Sequence, residues 1–132
     1  MLTVIKFIDE LKAYMAPADV FNPWGEYTDE YDIGISAPKI RREHLQRYLE
    51  CRITSARILF VAEAMGYQGG RFSGIPMTSE RIITGHHPDI HYECVFRGNA
   101  GVRTSNPLCS EFKKTQSEMG FSEQTATIIW KA

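Results

Sequence analysis

Cysteine is scarce and scattered. Cys51, Cys94 and Cys109 are the 3 in the chain, and no C-x-x-C pair occurs. That spacing excludes a zinc ribbon and a thioredoxin-type redox site, and reduced thiols in a cytosolic protein are the simplest reading. An excess of one charge is lacking too: 15 Lys and Arg stand against 16 Asp and Glu, a net charge of −1. No global field draws such a chain to nucleic acid, so any contact of that kind needs a local patch. Long apolar runs are missing. Lys6, Asp9, Glu10 and Lys12 interrupt the apolar N-terminal stretch, which excludes a signal peptide and a membrane span there. Neither an internal repeat nor a low-complexity tract is present. At 132 residues the chain has room for one domain with a modest core.

What is there centres on Arg57–Glu80. Ile58-Leu59-Phe60-Val61-Ala62 is the longest unbroken apolar run, short and rich in β-branched and aromatic residues. It reads as a parallel strand at about 57–62, buried on both faces. Glu63 follows, then a loop with glycines at 66, 69, 70 and 74 and Pro76, then Thr78-Ser79-Glu80 as a helix start. A strand feeding a glycine-rich loop is the usual ligand position in an open α/β sheet. The loop is not G-x-G-x-x-G. Gly69 and Gly74 have Walker spacing, but Ile75-Pro76 stand where Lys and Ser or Thr are needed, which speaks against nucleotide hydrolysis. A loop whose backbone approaches a ligand and a plain surface connection both fit this pattern.

The stretch resembles the first active-site motif of the uracil-DNA glycosylase superfamily, which in some branches reads like V-G-E-A-P-G-x-x-G-x-R-x-T-G-x-P-F-T. Val61–Gly66 and Gly69–Glu80 fall on that pattern. The similarity extends to Phe21-Asn22-Pro23-Trp24, to Arg103-Thr104-Ser105 and to Thr125–Trp130. The resemblance implies a single domain over 1–132 with a three-layer α/β/α fold, uracil-containing DNA (single- or double-stranded) as partner, and hydrolysis of the N-glycosidic bond of a flipped base in base-excision repair. It implies Glu63 as the catalytic carboxylate, orienting the pocket or the attacking water. Ala64, Met65, Gly66, Tyr67, Arg71, Met77 and Thr78 become base- or DNA-binding residues, with Arg71 on a phosphate and Thr78 opening a helix toward the site. No cofactor and no metal are expected, since three scattered cysteines cannot supply the iron–sulfur cluster some relatives carry. Three departures weaken the match: Ala62 for the usual glycine, Met65 for proline, and Met77 for the phenylalanine that stacks on the base. A solvated carboxylate at Glu63 and a surface arginine at Arg71 are the plainer alternatives.

Elsewhere the pattern predicts helices. Residues 3–14 are amphipathic, Pro38 opens a helix running to about 54, Ser79–Thr84 is a short helix stopped by Gly85, and Ser122 caps a last one. Ile90–Phe96 alternates in part and reads as a strand. Trp24, Tyr27 and Tyr31 either cover the core or form a base-stacking surface. His86-His87 diverge and lack a third ligand, so no metal site is read there. One central strand does not make a sheet, and the superfamily's second motif, His-Pro-Ser or similar, is absent. The expectation is therefore a partial, inactive domain in the cytoplasm, without a membrane role, that self-associates through an exposed sheet edge. The alternative is a non-catalytic module holding nucleic acid or a nucleotide on the glycine-rich loop.

Overall fold

The computed structural model describes residues 2–132. Its elements are helical: α1 (Leu2–Ala13), α2 (Ala37–Glu50), α3 (Gly70–Ser73), α4 (Glu80–Thr84), α5 (Lys114–Met119) and α6 (Gln124–Lys131), with a 3₁₀ turn at Tyr92–Cys94.

The expected α/β architecture is not present. Among the described residues there is no strand, only an isolated antiparallel bridge between Asp32 and Ser105. The run expected as the central strand is extended but unpaired. Ile58, Leu59, Phe60 and Val61 are 74, 85, 65 and 83% exposed. A strand is defined by a neighbour's hydrogen bonds, and this run has no neighbour. Ile90–Phe96 is also not a strand. Its alternation comes from a turn that buries Ile90, Val95 and Phe96 and leaves His91, Glu93 and Cys94 outside.

α1, α2 and α4 follow their sequence signals; α6 begins one residue later than expected, with Glu123 and not Ser122 at its N-cap, and α3 lies where a loop was expected. α1 buries Val4 and Ile8, four residues apart on one face. α2 starts beside Pro38, where the missing N–H costs nothing. Gly85 ends α4 in the left-handed conformation, φ 84°. Two apolar clusters share Tyr48 of α2. Val4, Ile8 and Leu45 form the smaller one; Ile75, Ile82, Ile83, Ile90, Val95, Phe96 and Ala126 form the larger, flanked by Trp130. Phe72, Phe112 and Phe121 make a third contact set, with the Phe72 and Phe121 rings stacked at 4.5 Å.

Candidate nucleic-acid interface

The chain from Gly66 to Glu80 folds into a tight, mostly buried turn system. The Gly66 carbonyl accepts the N–H groups of Gly69 (3.1 Å) and Arg71 (3.0 Å), which closes the loop and launches α3. Gly74 ends α3 at φ 79°, and a Cβ there would lie 2.6 Å from the Arg41 carbonyl oxygen of α2. Only glycine fits so close to another backbone while adopting that conformation. Ser73 then donates to the Thr78 carbonyl at 2.6 Å and holds the Ile75-Pro76 turn.

Segments distant in sequence lock onto this turn. Trp24 Nε1 donates to the Gly74 carbonyl (2.9 Å), Thr104 Oγ1 to the Phe72 carbonyl (2.6 Å), and Trp130 Nε1 to Thr78 Oγ1 (3.0 Å). Glu80, fully buried at the start of α4, accepts the N–H groups of Thr104 (2.8 Å), Ser105 (3.0 Å) and Phe121 (3.2 Å), and the Ser105 hydroxyl (2.5 Å). Four donors to one carboxylate are what a buried charge needs to be tolerated.

Below the turn lies a second buried charge cluster. Asp32 accepts from Arg41 of α2 and, through both oxygens, from Arg71 of α3 (2.9 and 3.0 Å). Burial pulls the Arg41 guanidinium down to about 10, against the opposing pull of Asp32. Phe21 lies under Arg71, 3.8 Å from its guanidinium carbon to the ring centre. His44 is buried between Ser73, which accepts from Nδ1 at 2.8 Å, and the Val102 N–H, which donates to Nε2 at 3.0 Å. This pair of contacts fits the neutral imidazole. Burial lowers the His44 pKa.

The residues named from the sequence lie in different settings. Glu63 and Ala64 are exposed, in a bend that follows the unpaired run, and Tyr67 is 72% exposed, its hydroxyl accepting from Gln68. Arg71 is committed to Asp32. Met77 is half-buried at φ 52°, the one non-glycine residue with positive φ among those described. Thr78 is buried under Trp130. The space freed by the glycines is filled from within. A Cβ on Gly70 would meet the Met65 sulfur at 1.8 Å, and Cβ atoms on Gly66 or Gly69 would meet the Glu123 carboxylate at 2.6 and 1.6 Å. Glu123 Oε2 is buried there with no hydrogen-bond partner, and burial raises the Glu123 pKa. An open cavity of about 210 Å³ lies elsewhere, lined by Thr84, His86, Gly101, Arg103, Glu118 and Met119.

Asp32, Arg41, His44, Glu80 and Glu123 were not singled out by sequence reasoning. Their partners are distant, 24 to 41 residues away for the amides on Glu80, and no local pattern announces such contacts. No group of three or more His, Cys, Asp or Glu side chains is placed to hold a metal among the described residues. No helix among them is long and apolar enough to cross a membrane. The three cysteines are free. No family model, no curated protein and no solved structure matches the chain.

Proposed function

We propose that the chain is a uracil-DNA glycosylase-like protein of the cytoplasm that recognises uracil-containing nucleic acid. One observation supports the reading above the others. The separate segments that resemble the superfamily meet at one place. Trp24 holds Gly74, Thr104 holds Phe72, Ser105 is bound to Glu80, and Trp130 holds Thr78. Segments of a small domain must meet somewhere, and it is their meeting on the glycine-rich turn that supports the reading.

Cleavage is a further demand. Breaking an N-glycosidic bond calls for a carboxylate that positions water beside a flipped base and for donors to the departing anion. With Glu63 in solvent and Glu123 seated against Gly66 and Gly69, those requirements are not met together. This favours the second reading, a module that holds nucleic acid or a nucleotide without hydrolysing it.

Fluorescence anisotropy with a uracil-containing single-stranded oligonucleotide, run across a salt series beside an assay of uracil release, separates the two. The binding reading expects affinity that weakens with salt, no release of uracil, and tighter binding by Glu123→Ala, which vacates the glycine backbone and removes a negative charge. Release of uracil that disappears in Glu63→Ala supports the glycosylase reading. Absence of binding at low salt by both wild type and Glu123→Ala removes nucleic acid from the proposal.

A further inference from the structure

Residues Arg57–Ala64 are all exposed, and none of their backbone N–H or C=O groups has a hydrogen-bond partner within the described residues. The stretch carries the longest apolar run of the chain, yet it belongs to neither apolar cluster. Exposed strand edges in natural proteins are usually blunted by an inward charge, a proline or a bulge. Ile58–Ala62 contains no charged residue and no proline. The charges stand at its two ends, Arg57 on one side and Glu63 on the other.

We propose that this segment pairs with the same segment of a second copy of the chain, antiparallel, in the register that sets Phe60 opposite Phe60. The flanking charges select this arrangement. Around a two-fold axis at Phe60, Arg57 of each copy faces Glu63 of the other, Ile58 faces Ala62, and Leu59 faces Val61. Parallel in-register pairing sets Arg57 against Arg57 and Glu63 against Glu63, and like charges directly opposite are unfavourable. The period of two then sorts the side chains. Ile58, Phe60 and Ala62 lie on one face with the two phenylalanines at its centre. Leu59 and Val61 form an aliphatic set on the other face, closed at both ends by an Arg57–Glu63 pair. The contact is self-complementary, as a two-fold dimer requires, and a net charge of −1 opposes association of two copies only weakly. The backbone groups that are unpaired in a single copy find partners on one edge.

Sedimentation velocity from about 10 µM to about 1 mM spans the affinity expected of so short a contact. A reversible dimer is expected. Phe60→Lys, which sets two ammonium groups together on the axis, abolishes it while the far-ultraviolet helical signal stays unchanged, because the segment supports no other part of the fold. Arg57→Glu weakens the dimer about tenfold, and adding Glu63→Arg to that variant restores it. With Cys51, Cys94 and Cys109 replaced by Ser, Phe60→Cys yields an intermolecular disulfide that the same background with Phe60 cannot form, the paired Cα atoms being within bridging range. A monomer throughout the range overturns the proposal. So do open-ended assemblies, and so does a dimer whose strength is indifferent to Arg57→Glu.

Discussion

His44 shows how one side chain can tie pH to folding. Its ring is buried, with Nδ1 donating to the Ser73 carbonyl and Nε2 accepting the Val102 N–H. Protonation would turn Nε2 into a second donor aimed at a donor, and burial already lowers the pKa from its ordinary 6.5. The unfolded chain therefore binds the proton more readily than the folded one. Stability from this group is complete above 6.5 and is lost as pH falls below that value. Urea unfolding at about pH 7 and about pH 5 checks it: the midpoint falls on acidification, and His44→Gln, a side chain that stays neutral while offering a donor group and an acceptor group, flattens the slope. Glu80 belongs to the same scale. Four donors converge on its carboxylate, which makes it a structural node.

At the scale of the element, the glycine-rich turn is a packing device. Gly74 has the left-handed φ of 79°, and its missing Cβ leaves room for the backbone of α2. Gly74→Ala is expected to cost about 3 kcal/mol, strain and overlap together; thermal melts with the helical signal as readout measure it. This turn also shows how far the sequence could be read. α1, α2, α4 and α6 were legible because their signals are local: apolar spacing, Pro38, Gly85. The end of α4 was legible for the same reason, since a glycine stop needs no distant partner. The apolar run Ile58–Ala62 carried a strand signal but not a sheet, because a sheet depends on residues elsewhere that bond to it. The glycines at 66, 69 and 70 were read as room for a ligand. What approaches is Glu123 and Met65 of the same chain, and nothing in the spacing of the glycines distinguishes a ligand from a side chain. Arg71, expected on a phosphate, is paired with Asp32, 39 residues earlier, a contact that no local pattern announces.

At the scale of the whole molecule, the chain divides into a packed body and an extended segment crossing outside it. The body is joined across that segment by buried and half-buried contacts: His44 with Ser73 and Val102, Arg41 with Thr104, and the Tyr48 ring edge-on to Trp130 at 6.4 Å. Residues before and after Arg57–Ala64 therefore hold one another without help from the peptide bonds between them.

A protease should find that arrangement before it finds anything else. Trypsin at low dose is expected to cut first after Arg57 and chymotrypsin after Phe60, since cleavage needs an extended backbone free of partners. Mass spectrometry of the early products identifies the bond. The nicked halves, 1–57 and 58–132, should still migrate as one particle on size exclusion and part only in denaturant. Retention of the first cut site in a concentrated sample, where copies shield one another, would tie the digestion pattern to the dimer. A chain that can be severed at its most oily stretch and remain whole is, in effect, a two-piece protein whose connecting thread is spare for other contacts.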